Sequence, residues 1–232
     1  MFLEKTPFGY EIQTPTVTIF LGSVNAQVPQ LKVAYPQLKF VRVKQIHGES
    51  VVQTSGVESD LLVEADAHFS EQLNLALCVI TADCVPLFFY DTQSGLIAAV
   101  HAGWRGVASR IIPKTIDKLL EFGAQAKNIE VVIGPHIQKN SFEVGTDVSD
   151  QILSSLHLSS HDDCTQYVAE LNNQKLKLDL NLVVQTQLQQ SGIQSDKVFC
   201  LFIDTYSNSE FHSHRRDKER AGRQVSFITR KV

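Results

Sequence analysis

The chain is poor in sulfur: its 232 residues include one methionine and four cysteines, Cys78, Cys84, Cys164 and Cys200. These cysteines are unevenly spaced and form no C-x-x-C pair, which argues against a disulfide framework. No stretch approaches the roughly 18 continuous apolar residues of a membrane-spanning helix. The opening residues, Met1 to Pro7, contain no basic region followed by an apolar run, so no secretory signal is expected. With the thiols reduced, the expected location is the cytoplasm. Basic residues are not in surplus either, at 21 Lys and Arg against 25 Asp and Glu, a net charge of −4. That balance speaks against a nucleic-acid partner and gives no attraction to an anionic membrane. Internal repeats, low-complexity tracts and Gly/Ser-rich linkers are lacking as well, and residues 1–232 are expected to form one domain.

What is present suits a globular chain. Hydrophobic residues make up 43% and charged residues 20% of the chain, enough for a sizeable core at this length. Thr16 to Leu21, Leu75 to Ile80, Val85 to Tyr90, Gly95 to Val100, Val198 to Ile203 and Val225 to Thr229 read as strands. Leu38 to Ile46 alternates apolar and polar residues and predicts a half-buried strand. Val107 to Phe122 carries a helical apolar face ending at Gly123, with Pro113 kinking it or marking its true start. Thr146 or Asp147 is expected to cap a helix through Leu156, and Asp179 one from Leu180 to Gln190, stopped by Gly192. Ser159 to Gln166 is the best loop candidate. Strands and helices do not alternate regularly, so the expected class is α+β.

Three segments deliver reactive side chains at strand ends: Gln45-Ile46-His47-Gly48, Thr81-Ala82-Asp83-Cys84-Val85-Pro86 and Val100-His101-Ala102-Gly103-Trp104-Arg105-Gly106. In each, an apolar strand leads to His or Cys beside a Gly or Pro turn. One thiolate and two imidazoles suit zinc, and three protein ligands with a free fourth position describe a catalytic site. The long spacings leave a second reading open, in which two core histidines and a buried cysteine simply pack.

The same segments resemble the three signature segments of the YfiH-like family, formerly called laccase-domain proteins. Gly134-Pro135-His136-Ile137 with Phe142-Glu143-Val144-Gly145 resembles its Gly-Pro-Cys-Ile and Glu-Val-Gly stretch, and Leu178-Asp179-Leu180-Asn181 its Asp-Leu helix start. His214-Arg215-Arg216-Asp217 with Gly222-Arg223 resembles its C-terminal Tyr-Arg-Arg-Asp and Gly-Arg. The resemblance runs in order from about residue 16 to the C-terminal end. It implies mixed sheets packed in layers and flanked by helices, and one zinc per chain held by His47, Cys84 and His101. It also implies phosphorolysis of adenosine, inosine and methylthioadenosine, with adenosine deamination as an accompanying activity. Purine nucleoside and phosphate are thus the expected partners.

Other residues are candidates around that triad. Asp83 is the candidate acid, and Arg105 the candidate phosphate clamp, since a guanidinium forks two hydrogen bonds onto an anion. Arg42, Lys44, Gln45 and His136 are candidate substrate-binding residues, the last standing where the family often has Cys. Arg215, Arg216 and Arg223 add positive charge, and Trp104 is positioned either to stack on a base or to pack.

Four competing readings remain. His47-Gly48-Glu49 matches half of the zinc nucleoside deaminase signature, but Pro-Cys-x-x-Cys is absent. A copper phenol oxidase would need an axial Met and more ligands than the single His212-Ser213-His214 pair adds, though copper is a possible adventitious occupant. A hydrolase acting on a cell-wall precursor would use Cys84 as nucleophile and His101 as base. A non-enzymatic metal-binding domain would close its zinc with a fourth protein ligand.

Overall fold

The computed structural model describes residues 1–56, 63–158, 164–172 and 175–231. Two six-stranded sheets lie face to face. In strand order, the first contains β1 (Phe2–Thr6), β2 (Gly9–Gln13), β3 (Val17–Gly22), β15 (Gln224–Arg230), β7 (Leu75–Thr81) and β4 (Lys39–Arg42). The second contains β14 (Val198–Cys200), β10 (Ile129–Ile133), β8 (Val85–Asp91), β9 (Ile97–Ala102), β6 (Ala67–Ser70) and β5 (Val51–Gln53). Most pairs are antiparallel, but β4 with β7, β5 with β6 and β10 with β14 run parallel, so both sheets are mixed. A small third sheet joins β11 (Glu143–Gly145), β13 (Lys175–Leu178) and β12 (Val168–Asn172).

The apolar runs are continuous because both faces of the central strands are buried. In β8, Phe88 and Tyr90 point between the sheets, while Val85, Leu87 and Phe89 point outward to the helices. In β7, Leu75, Leu77 and Val79 face the inter-sheet layer, and Ala76 and Cys78 the opposite side. That opposite side is covered by α1 (Val28–Ala34), which buries Leu31 against Phe20 and Phe227. The outer face of the second sheet carries α2 (Trp104–Ala108), α3 (Ile111–Glu121), α4 (Thr146–Ser154) and α5 (Leu180–Gln190), which join one large cluster with β8, β9 and β10. The architecture is thus a layered α+β domain. Among the described residues no helix is long and apolar enough to cross a membrane.

Several expectations sharpen. The predicted helix over Val107 to Phe122 is two helices, broken where Arg110 adopts φ 63°. Pro113 falls in the first turn of α3, where its missing N–H removes no intrahelical bond. Gly123, at φ 99°, follows the helix end. Asp179 caps α5 through Oδ1, which accepts from the Leu182 amide at 3.0 Å, and Gly192 at φ 86° ends that stretch. The cap of α4 is Gly145, not Thr146 or Asp147. The strand expected over Leu38 to Ile46 is only Lys39–Arg42, and Phe40 and Val41 are both buried, so it does not alternate. Of the expected loop, residues 159–163 lie outside the described residues. The terminal helix α6 (His214–Asp217) is short and capped by Ser213, whose Oγ accepts from the Arg216 amide.

Candidate functional site

Three strand ends meet at one margin of the sandwich. β4 runs parallel to β7, so the chain leaving β4 toward His47 and the chain leaving β7 toward Cys84 emerge at the same edge. Residues 82–84 then cross from the first sheet to the second, where β8 pairs with β9 and sets Pro86 opposite His101. The result brings one side-chain ligand atom each from His47, Cys84 and His101 within 4.8 Å of one another. The two imidazole rings stand edge to face, with centroids 4.8 Å apart. A Cβ added at Gly103 would come within 3.1 Å of His47 Cδ2 and 3.3 Å of Cys84 Sγ, so glycine leaves the space the triad uses.

Asp66 organises this edge. Its carboxylate is fully buried just before β6. Oδ1 lies 2.7 Å from His101 Nδ1 and accepts the His47 amide at 3.0 Å. Oδ2 accepts the amides of Ile46 and Gly48 at 3.1 and 2.6 Å. Three successive amides closing on one carboxylate form an anion nest, and they hold His47 at φ 60°, a left-handed conformation unusual for a residue with a side chain. The bond at His101 Nδ1 leaves Nε2 as the nitrogen able to bind a metal. Burial disfavours the charged Asp66, but the hydrogen bonds from His101 and the Gly48 amide outweigh it and hold the carboxyl below its usual range. Burial would likewise raise the Cys84 thiol. The neighbouring imidazoles of His101 and His47 instead pull it down, toward the thiolate that a metal needs. His101 moves the opposite way: burial lowers it, and the Cys84 and Asp66 charges raise it above the ordinary imidazole range. Asp66 was not singled out in the sequence; its one signal is an acid between two alanines at the entry to an apolar strand.

Two cavities meet at the triad. One, of about 570 Å³, is lined by His47, Cys84 and His101 together with Gln45, His214 and Arg223. The other, of about 320 Å³, is lined by His47 and Cys84 with Trp104, Arg105, Phe142 and His214. Arg105 therefore faces a cavity that reaches the triad, with its guanidinium 4.4 Å from the Trp104 ring centre.

The remaining candidates are held by other contacts, although Asp83 and Arg215 also line the smaller cavity. Asp83 sits at φ 85° with both carboxylate oxygens engaged: Oδ1 accepts from the Thr205 hydroxyl and Oδ2 from the Arg215 amide, each at 2.7 Å. Its carbonyl accepts from the Ile137 amide, so it acts as an acceptor joining distant segments at the cysteine turn. Gln45 lines the larger cavity, but its amide clamps the backbone of Ile80 from both ends at 2.8 Å. Lys44 lines it too and pairs with Glu64 at 2.8 Å. Arg42 ends β4 and is not among the residues lining these two cavities. His136 is also outside them. It is fully buried, with Nδ1 on the Gly134 carbonyl at 2.7 Å and Nε2 on Gln138 at 3.0 Å. Glu49 pairs with Lys114 instead of facing the triad. Arg215 donates to the Glu143 carbonyl, and Arg216 to the carbonyls of Thr205, Tyr206 and Phe211, so both fasten the C-terminal segment.

The family model described as multi-copper polyphenol oxidoreductase laccase matches residues 23–231. A purine nucleoside phosphorylase of Clostridium acetobutylicum is 34% identical over 192 residues, covering 82% of this chain and 76% of that protein. A purine nucleoside phosphorylase of Pseudomonas aeruginosa is 32% identical over 186 residues, covering 79% and 71%. Among solved structures, YlmD from Geobacillus stearothermophilus superposes with a TM-score of 0.85 at 23% identity, covering 99% of this chain and 98% of that one. The Bacillus licheniformis hypothetical protein YfiH gives a TM-score of 0.82 at 24% identity, covering 93% of each.

Proposed function

The chain belongs to the YfiH-like family, whose model carries the laccase description, and we propose that it is a zinc-dependent purine nucleoside phosphorylase. The observation that carries this reading is the triad at the junction of two cavities, one of them bearing Arg105. The names of the Clostridium and Pseudomonas relatives support phosphorolysis. They lend nothing to adenosine deamination. Inosine, adenosine and methylthioadenosine are the substrates to test.

The donor set fits zinc. Two imidazoles and a thiolate are ordinary zinc ligands, the second nitrogen of His101 is already bonded to a carboxylate, and the bare Gly103 keeps the centre clear. When bound, zinc would supply Lewis acidity toward an oxygen of a substrate or water. Copper fits less well. One group of three such ligands exists among the described residues, and a multi-copper oxidase needs several cooperating centres. The free cysteines suit a reducing cytoplasm.

The chain's own residues divide the remaining work. Arg105 would bind phosphate as a planar fork and bring it to the sugar, an orientation effect that makes attack on the anomeric carbon effectively unimolecular. Trp104 and Phe142 offer aromatic walls in the same cavity. Phosphate must be desolvated to attack, and with a net charge of −4 the chain relies on local cations for this.

The test is product analysis with zinc-loaded protein and inosine or adenosine, with and without phosphate. Free purine and ribose 1-phosphate formed only when phosphate is present is the expected result. Purine released equally without phosphate would replace phosphorolysis by hydrolysis, and a substrate-derived mass on Cys84 would establish a cysteine nucleophile.

A further inference from the structure

Displacing a purine from ribose leaves an electron pair on the base, and an acid beside the base lowers that barrier. Asp83 is poorly suited, since both of its oxygens already accept hydrogen bonds. Arginine keeps its protons at any working pH, which removes Arg105, Arg215 and Arg223. His47 and His101 belong to the triad. Lys44 lines only the larger cavity and its ammonium is paired with Glu64. His214 remains, and it lines both cavities.

Its setting is that of a free side chain on a fixed backbone. His214 is exposed, and its ring makes no hydrogen bond to any described residue. The chain on either side is fastened. Ser213 is fully buried and bonds the Arg216 amide. The Arg215 amide is tied to Asp83, the residue before Cys84, at 2.7 Å. The Arg216 guanidinium holds the carbonyls of Thr205, Tyr206 and Phe211. The imidazole is therefore carried at a set place next to the cysteine turn while remaining able to meet a ligand.

We infer that His214 is a catalytic residue that gives a proton to the departing purine, an inference that rests on the phosphorylase reading. An oxygen of phosphate forms a bond to the anomeric carbon as the bond from that carbon to purine N9 breaks. The electron pair passes into the purine ring, and the proton on the His214 imidazolium goes to ring nitrogen N7. Neutral purine leaves, and neutral imidazole regains the proton that the phosphate ester releases through solvent.

A substrate that already carries the positive charge isolates this step. In 7-methylinosine, N7 is methylated and cationic, so its purine leaves without a proton. His214→Asn should lower kcat/KM for inosine by about 10²- to 10⁴-fold, the usual span for a positioned acid. Phosphorolysis of 7-methylinosine by the same variant should stay close to wild type, which also shows that the variant is folded and binds phosphate. Equal loss on both nucleosides would overturn the inference and make His214 a binding or structural residue. Full activity on both would overturn it as well. A wild-type protein that cleaves neither nucleoside with phosphate would instead overturn the phosphorylase reading itself.

Discussion

Asp66 Oδ1 lies 2.7 Å from His101 Nδ1, and the same carboxylate accepts the amide of His47. One buried acid thus sets both the ring orientation of one candidate ligand and the backbone of another. Asp66→Asn keeps the shape but replaces one acceptor oxygen by a donor facing amide hydrogens. Metal affinity is expected to fall by about 10- to 100-fold, the usual cost of losing such a partner. Competition with a chromophoric chelator measures it. Unchanged affinity would mean that the triad orients itself.

Removing a ligand should act more strongly than removing its support. Wild-type protein is expected to hold one zinc per chain, and His47→Ala, Cys84→Ala and His101→Ala to lose it, as read by elemental analysis of folded protein. Gly103→Ala is expected to weaken zinc binding without touching a ligand, because its methyl group would crowd His47 and Cys84. Full zinc in all three alanine variants of the triad would rule the site out.

Arg105→Lys keeps the charge and loses the fork. A charge-assisted contact made in the transition state contributes about 2–3 kcal/mol, so phosphorolysis should slow roughly 30- to 150-fold. Zinc content should not change. The readout is ribose 1-phosphate formation against phosphate concentration. A normal rate would move the phosphate site to another cation, Arg223 or Lys44 in the larger cavity being the next candidates.

His68 gives the fold a pH dependence of its own. It is fully buried, between the Thr54 hydroxyl at 3.3 Å and the Cys78 carbonyl at 3.1 Å. Burial lowers it to about 4 from an ordinary value of 6.5, with the Cys78 carbonyl offsetting part of the effect. Below pH 6.5 the unfolded chain takes up this proton and the folded protein does not. Stability should therefore be intact above that pH and fall as the pH drops toward 4, by about 3 kcal/mol at most. Denaturant midpoints across this window test it, with His68→Gln expected to flatten the slope. An identical slope in the variant would place the effect elsewhere.

How much of this was legible beforehand depends on how local each cause is. The apolar runs Leu75 to Ile80, Val85 to Tyr90 and Gly95 to Val100 and the Asp179 cap are legible directly, and the strands found there are Leu75–Thr81, Val85–Asp91 and Ile97–Ala102, since burial on both strand faces and capping leave marks on adjacent residues. The first hairpin, β1 with β2, escaped because its outer strand is almost wholly exposed and carries no apolar pattern. His47, Cys84 and His101 are legible as a set from residue type at strand ends and from resemblance.

Which side chains can bind a metal or an anion is written in the residues themselves, because that chemistry belongs to the side chain. Which of them are available depends on how the chain folds. Pairing of β4 with β7 and of β8 with β9 gathers the triad at one edge. Hydrogen bonding then occupies Gln45, Asp83, His136 and Arg216, and leaves the Arg105 guanidinium and the His214 ring at the cavities. The reason is physical: a buried polar group must find partners, and those partners come from segments far away in the chain, whose approach no local pattern records.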